Sequence, residues 1–182
     1  MQIRPPDPAD LGPLLEFFAR VPESERTFFK EPVLDRATVE DWLRSHRGRR
    51  GLAVHDGVVL GYAAVVPLPG WSDHVGEIRL VVDPARRRAG VGRALARWAL
   101  LQALDCGLTK LSVEVVADQE GAVAMFTAIG FVAEGLLRDH VRDRHGALRD
   151  LVLLAHPVAD QWSAMQGAGI DHALGEPEIA NG

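Results

Sequence analysis

Apolar residues recur every three or four positions in four segments of the chain, which is the spacing of one face of an α-helix. The four predicted helices follow Asp10, follow Asp35, begin at Val91 and extend from Asp118 to Ile129. An aspartate at a helix start can accept a hydrogen bond from a free backbone N–H, so Asp10, Asp35 and Asp118 are predicted N-caps. Gly107 and Gly130 are placed to end the third and fourth helices.

Shorter apolar runs between turn residues predict seven β-strands. They cover residues 2–4, 51–55, 58–66, 77–82, 108–116, a stretch that begins at 131, and 149–155. The dipeptide Asp56-Gly57 is typical of a two-residue hairpin turn, so the second and third strands are predicted to pair antiparallel. Residues 23–34, which include the sequence TFFKEP, show no helical period. Their two adjacent aromatic residues fit either the core or the lining of a pocket.

The composition is that of one ordinary globular domain. Of the 182 residues, 47% are hydrophobic and 25% are charged, which is enough to bury a full core. The net charge of -5 gives no general attraction for polyanions, so we expect no nucleic-acid partner. Cys106 is the only cysteine, and the N-terminal residues contain no apolar signal segment. Both facts favour a reducing cytoplasm.

The most apolar run, VVLGYAAVVPLPGW, is too short and too interrupted by Gly and Pro to cross a bilayer. We therefore expect no membrane insertion. After Pro157 the chain becomes rich in Gly, Ala and acidic residues. We divide it into a domain of residues 1–156 and a C-terminal tail of residues 157–182, expected to be partly flexible with one short helix near residues 159–165.

The sequence RRRAGVGR, residues 86–93, lies between a predicted strand and a predicted helix. In this arrangement the helix N-terminus offers free N–H groups to an anion, and glycines let a phosphate approach the backbone. A dinucleotide-binding turn would need a third glycine where Leu95 stands, and a Walker loop would need Gly-Lys-Ser/Thr. Taken alone, the stretch fits a phosphate site and a solvated arginine-rich connection equally well.

The flanks of this stretch favour the phosphate site. LVVDPARRRAGVGRAL resembles the acyl-CoA motif of the GNAT superfamily of N-acetyltransferases, with Arg87, Gly90 and Gly92 at the diagnostic positions. DQEGAVAMFTAIGFVAEG resembles the second motif of that family, a helix that closes on Gly130-Phe131. The resemblance covers roughly residues 3–155. It implies an α+β fold, with a mixed but mostly antiparallel sheet of about seven strands, about four helices, and a splay at the motif strand.

The resemblance also implies that acetyl-CoA is the co-substrate, bound where the motif strand separates from the next one, and it implies no metal. The backbone of Leu80, Val81 and Val82 would bind the pantetheine arm and polarise the thioester carbonyl. The pyrophosphate would lie against Arg87, Arg88, Ala89, Gly90, Val91, Gly92 and Arg93. Many family members have a cofactor-contacting Asn where Asp118 stands, and a Tyr that protonates the leaving thiolate where Phe126 stands.

The family transfers an acetyl or related acyl group to an amine, which attacks the thioester directly in a ternary complex. Glu77, at the start of the motif strand, is the best candidate for the general base, and His74 is a second candidate. Glu114 interrupts an apolar strand, so it either lines the cleft or faces solvent. Phe126 cannot donate a proton, and Tyr62, the only tyrosine, has no motif claim to that role. Cys106 fits a structural role better than a nucleophilic one.

The resemblance implies that the acceptor is a primary amine, either a small molecule or a peptide or protein amine, and a homodimer is one open oligomeric state. Three functions compete. The first is the N-acetyltransferase, the second a non-catalytic CoA-binding or sensory module on the same fold, and the third a nucleotide-binding domain with a degenerate dinucleotide turn.

Overall fold

The computed structural model describes residues 1–26, 29–45 and 47–158. Its strands are β1 (Gln2–Arg4), β2 (Arg49–His55), β3 (Val58–Pro67), β4 (Val75–Val82), β5 (Lys110–Val116), β6 (Val132–Arg142) and β7 (Leu148–Pro157). Its helices are α1 (Leu11–Arg20), α2 (Glu23–Arg26), α3 (Arg36–Arg44), α4 (Val91–Asp105) and α5 (Glu120–Thr127). The predicted strands and four predicted helices are confirmed. The additional helix, α2, is a single turn in the segment without helical period.

All seven strands belong to one sheet, in the order β1-β2-β3-β4-β5-β7-β6. Every neighbouring pair is antiparallel except β4 and β5, which run parallel. A parallel pair needs a crossover connection, and α4 supplies it between these two strands. The fold is therefore the mixed, mostly antiparallel α+β sheet that was predicted.

Helices cover both faces of the sheet, and β3 shows this by alternation along its length. Tyr62 and Ala64 pack in one core cluster with α1 and α3. Ala63 and Val65 point the other way, into clusters that contain residues of α4. Successive side chains of a strand alternate between faces, so an unbroken apolar run marks a strand buried on both sides. The site described below lies in this two-sided region.

Several turns follow the signals in the sequence. Asp56 and Gly57 both have positive φ angles, 49° and 75°, as the predicted two-residue hairpin turn requires. Gly107 and Gly130 have φ angles of 69° and 95° after α4 and α5. The Asp35 carboxylate accepts a hydrogen bond from the N–H of Thr38 and caps α3. These local predictions are confirmed.

The two other predicted caps are wrong. Asp10 stands at the start of α1, but its carboxylate is held by Arg4 through two hydrogen bonds of 2.7 Å and makes no cap bond to α1. Asp118 lies before α5, which begins at Glu120, and its carboxylate pairs with Arg149 at 3.2 Å. Each aspartate takes a guanidinium partner, because a charge-assisted pair is stronger than one bond to a backbone N–H.

β7 extends through Pro157, and Val158 is buried and donates its N–H to the carbonyl of Thr109 at 2.9 Å. The remainder of the predicted tail, including the expected helix near residues 159–165, lies outside the described residues. Among the described helices, none has both the length and the apolar composition needed to cross a bilayer.

Candidate active site

β4 and β5 begin as neighbours and then separate to open a cleft. Their parallel register contains three pairs, Val75↔Lys110, Gly76↔Leu111 and Glu77↔Ser112. Beyond Glu77, β4 stays paired with β3 as far as Val82, and β5 stays paired with β7. Among the described residues, no strand pairs with the edge of β4 that faces β5 beyond Glu77, so the peptide groups of this edge are available to a ligand. The cleft has a volume of about 1270 Å³.

The β4 side of the cleft presents main chain more than side chains. Leu80 and Val82 pack in the cluster that contains Val91 and Leu95 of α4, whereas Val81 packs in the cluster of α1 and α3. Their side chains thus point to opposite faces of the sheet, although all three residues line the cleft. This leaves the free peptide edge of β4 as the surface that an extended chain would contact.

The loop of residues 83–90 joins β4 to α4 at one end of the cleft. Asp83 begins it by accepting hydrogen bonds from the N–H of Ala85 at 2.9 Å and from Arg20 at 2.8 Å. Arg88 and Gly90 then adopt positive φ angles of 63° and 84°. α4 starts at Val91 with no side-chain cap. Its first N–H groups have no intrahelical acceptor, and together with the helix dipole they favour the approach of an anion.

Three arginines of this loop and the first turn of α4 line the cleft, but their environments differ. Arg87 forms an ion pair with Glu25 of α2. Within the described parts of the chain, no carboxylate lies within ion-pair distance of Arg88 or Arg93. These two guanidinium groups are therefore free to receive a phosphate, whereas Arg87 would have to exchange Glu25 for it.

The two glycines of the motif are required for different reasons. At Gly90 a Cβ would meet no atom within 4 Å, and glycine is needed for the left-handed backbone. At Gly92 a Cβ would lie 2.9 Å from Sδ of Met125 in α5. Gly92 therefore lets α4 and α5 approach closely, in addition to lining the cleft.

A cluster of charged side chains lies where β4 and β5 separate. The Nζ atom of Lys30 is 3.0 Å from Oε2 of Glu77 and 3.0 Å from Oε2 of Glu114. Glu114 thus lines the cleft, which decides between the two orientations left open by the sequence. Burial lowers the pKa of Lys30, but the hydrogen bonds from the two carboxylates outweigh it, so the net shift is upward.

A second cation holds the other oxygen of Glu77. The Nε of Arg79 lies 3.1 Å from Oε1 of Glu77, and the same guanidinium pairs with Glu31. Burial lowers the pKa of Arg79, but its bonds to the two glutamates outweigh that effect and raise it. Glu77 is thereby fixed at the closed end of the cleft, where β4 and β5 begin to separate, and its side chain is only 13% exposed.

The chain matches the acetyltransferase (GNAT) family over residues 15–131. It belongs to the GNAT acetyltransferase family. Among related proteins, the mycothiol acetyltransferase of Amycolatopsis mediterranei is 34% identical over 119 residues, which are 58% of this chain and 39% of that protein. The chain spans only 18 to 39% of the length of three such mycothiol acetyltransferases.

Solved structures that match this chain over most of their own length share its fold. The ribosomal-protein-alanine N-acetyltransferase of Brucella melitensis superimposes with a TM-score of 0.78 at 23% identity, over 86% of this chain and 99% of that one. The yncA protein of Salmonella typhimurium, solved with its cofactor acetyl-CoA, gives a TM-score of 0.76 at 18% identity, over 87% and 94%. At these identities the likeness shows the fold alone.

Most of the cofactor-binding residues predicted for this GNAT protein line the cleft. They are Leu80, Val81, Val82, Arg87, Arg88, Gly90, Gly92, Arg93, Asp118 and Phe126. Ala89 and Val91 do not line it: Ala89 is exposed, and the side chain of Val91 is buried in the core. Their backbone N–H groups remain part of the loop and of the start of α4.

The structure separates the three candidate bases. Glu77 and Glu114 both lie in the cleft. His74 is exposed and is not among the residues that line it; its carbonyl accepts the N–H of Thr109 at 3.0 Å. Of the three, the GNAT cleft therefore brings together only the two glutamates.

The aromatic residues near the cleft are packed rather than available. Phe126 is buried against Phe131, with ring centroids 5.1 Å apart. Tyr62 stacks on Trp42 at 5.6 Å, and burial raises the pKa of its phenol to about 12, although nearby Arg50 opposes the shift. A phenol in this environment is poorly suited to donate a proton near neutral pH.

Sequence reasoning missed four charged residues of this site: Glu25, Lys30, Glu31 and Arg79. The first three lie in the segment without helical period, and their partners are distant in the chain. Arg79 and Glu31 are 48 positions apart, and Arg87 and Glu25 are 62 apart. One signal was present, because Lys30 is one of only two lysines in the chain.

Proposed function

We propose that this protein is an acetyl-CoA-dependent N-acetyltransferase that acetylates a primary amine by direct attack within a ternary complex. The supporting observation is one cleft that joins two kinds of site. At one end are the uncapped start of α4 and the free guanidinium groups of Arg88 and Arg93, and at the other is the pair Glu77 and Glu114. Between them is the unpaired edge of β4.

This arrangement fits acetyl-CoA, which supplies an acetyl group activated as a thioester. The N–H groups at the start of α4, with Arg88 and Arg93, would hold the pyrophosphate. The peptide edge of Leu80, Val81 and Val82 would hold the pantetheine arm, and one of its N–H groups would polarise the thioester carbonyl. Open space beside Gly90 keeps the loop accessible.

The glutamates at the closed end perform the acid–base part of the reaction. An amine arrives mostly protonated and must lose a proton before it can attack. Glu77 is the proposed base, because Arg79 fixes its side chain and it lies at the splay. Glu114, with its side chain 34% exposed, would attract the cationic acceptor and offers a second route for the proton.

The leaving thiolate would depart without help from a phenol. Phe126 occupies the position at which many family members have tyrosine, and Tyr62 is buried with its pKa raised to about 12. A thiolate is a stable leaving group near neutral pH, so protonation by water suffices. The same feature also favours a second function, a CoA-binding module without catalysis.

The acceptor is proposed at the level of a primary amine. The names of relatives refer to different molecules: mycothiol in the mycothiol acetyltransferases, and an alanine of ribosomal protein bS18 in an N-acetyltransferase of Escherichia coli. The acidic pair at the closed end fits the positive charge of either type of acceptor before it reacts.

The proposal is tested first by binding. At about 100 times its dissociation constant, acetyl-CoA adds about 2.7 kcal/mol of stability, which raises Tm by about 5 to 10 °C for a chain of this size. Gly90→Glu places a carboxylate at the anion site and should abolish this shift. Gly57→Glu is the matched control, because Gly57 also has a positive φ and open space for a Cβ but lies in a distant hairpin turn.

Activity is then tested by following free thiol with a panel of primary amines. Steady thiol release with any of them supports the enzyme and excludes the binding module. A normal Tm shift without release for any amine would favour the module, and no shift at all would refute acetyl-CoA binding.

A further inference from the structure

The cleft already contains a primary amine that belongs to the chain itself. The ammonium of Lys30 lies between Glu77 and Glu114, 3.0 Å from an oxygen of each. Its side chain is 42% exposed and lines the cleft. It occupies the place in which the proposed function requires the acceptor ammonium, beside the groups that would take its proton.

The position along β4 puts this amine at the thioester end. Residues 78–82 form the unpaired edge between Glu77 and the loop before α4, and five residues of strand extend about 16 Å. With the pyrophosphate at α4, the pantetheine arm runs back along this edge toward the point where pairing with β5 resumes. That point is Glu77, one ion pair away from Lys30.

We propose that Lys30 is a self-acetylation site, modified by acetyl-CoA bound in the same molecule. This inference rests on the proposed function, because it requires the acetyl thioester to lie in the cleft. It adds a covalent product on the protein itself, formed when no acceptor is present.

The atoms of the step balance. The Lys30 ammonium gives one proton to a carboxylate of the pair, and the free amine attacks the thioester carbonyl carbon. The new C–N bond forms as the C–S bond breaks, and CoA leaves as a thiolate. The nitrogen loses a second proton as it becomes an amide, and the thiolate takes up a proton, so one proton is released to solvent overall.

The charges around Lys30 make this reaction slow at neutral pH. Glu77 and Glu114 hold the ammonium in its charged form, and Arg79 and Glu31 lie on the far side of Glu77. Because the pKa of Lys30 is raised, only a small deprotonated fraction can attack. The rate should therefore increase about tenfold per pH unit between pH 7 and 9.

Lys110, the only other lysine, provides an internal control. It is also paired with a carboxylate, Glu134, at 2.7 Å, and its side chain is 38% exposed, close to the value for Lys30. It is not among the residues that line the cleft. Chemical acetylation by free acetyl-CoA would treat the two lysines alike, whereas reaction within the cleft selects Lys30.

The test incubates the purified chain with acetyl-CoA and no acceptor, and follows each lysine by peptide mass spectrometry. We expect Lys30 to be acetylated at least about tenfold faster than Lys110, a ratio that corresponds to about 1.4 kcal/mol. The first-order rate should not change with protein concentration. Lys30→Arg should remove the modification and Lys110→Arg should leave it. Urea-unfolded protein should show equal, slow modification of both lysines.

The outcomes separate this inference from the proposed function. If acetyl-CoA raises Tm and thiol is released with an amine while Lys30 stays unmodified, self-acetylation is overturned and the enzyme stands. Equal rates at Lys30 and Lys110 in the folded protein, or a rate that rises with protein concentration, also overturn it. If acetyl-CoA fails to bind, both fall together.

Discussion

The ion pair between Glu25 and Arg87 gives a direct test of where the pyrophosphate binds. Glu25 lies in the one-turn helix α2 and neutralises an arginine of the loop before α4. A phosphate that uses Arg87 has to displace this carboxylate and also approaches its negative charge. Glu25→Gln removes both costs, so we expect the variant to bind acetyl-CoA more tightly than the wild type.

The size of the gain follows from the exposure of the pair. The side chains of Arg87 and Glu25 are 46% and 30% exposed, which places the pair among surface ion pairs worth about 0.2–1 kcal/mol. Because 1.4 kcal/mol corresponds to a factor of ten, this range predicts that the dissociation constant for acetyl-CoA is about 1.4- to 5-fold lower in Glu25→Gln. Salt screens exposed charges, so the gain should shrink as ionic strength rises.

Isothermal titration calorimetry at low and high salt measures this change. Glu23→Gln is the control, since Glu23 lies in the same helix, carries the same charge and pairs instead with Arg144. Its effect on acetyl-CoA binding should be smaller than that of Glu25→Gln. Unchanged or weaker binding by Glu25→Gln would show that Arg87 does not contact the phosphate, and the loop would then act through its backbone, Arg88 and Arg93.

Three further predictions concern single side chains. Burial lowers the pKa of His156 below its ordinary value of 6.5, so below pH 6.5 the unfolded chain binds more protons than the folded one. The free energy of unfolding should therefore fall as the pH drops below 6.5. Urea unfolding at pH 7.5 and pH 5 should show a smaller loss of this free energy for His156→Gln than for the wild type. Asp10→Asn should cost about 1.5–3 kcal/mol, because it removes the negative charge and one acceptor oxygen from the part-buried pair with Arg4. Since Arg4 lowers the pKa of Asp10, the stability that this pair contributes is present above pH 3.8 in the wild type and is lost as the pH falls further. The same pH dependence of unfolding in Asp10→Asn as in the wild type would contradict this role of the pair. Tyr62→Phe should leave kcat within about twofold, whereas a loss of more than about tenfold would identify Tyr62 as the acid that protonates the thiolate.

Local patterns in the sequence were sufficient for most of the fold. The turn at Asp56-Gly57, the cap at Asp35 and the glycines that end α4 and α5 depend on a few consecutive residues, and each forms as predicted. Apolar periodicity likewise located the helices that pack on the sheet, because burial of one helix face is the dominant constraint on such a segment.

Predictions that depended on distant partners were incomplete or wrong. Asp118 was predicted to cap α5, but Arg149, 31 residues away in the chain, takes its carboxylate. The same reason hid the ion pairs of Lys30, which join a segment before α3 to two different strands. A segment without helical or strand periodicity gives no pattern from which side-chain positions can be predicted, so the approach of Glu25, Lys30 and Glu31 to the cleft is visible only in the structure.

The three-residue parallel register between β4 and β5 has a mechanical consequence. Strands β1–β4 and β5–β7 form two antiparallel halves, and among the described residues the sheet pairs one half with the other only through this three-residue register. The helix α4 bridges them, with Leu95 packed in a cluster beside β3 and Ala103 packed with residues of β5. We therefore expect the width of the groove to depend on how α4 packs on the two halves, so that a larger side chain at the fully buried Ala103, as in Ala103→Val, would change this width although Ala103 does not line the cleft.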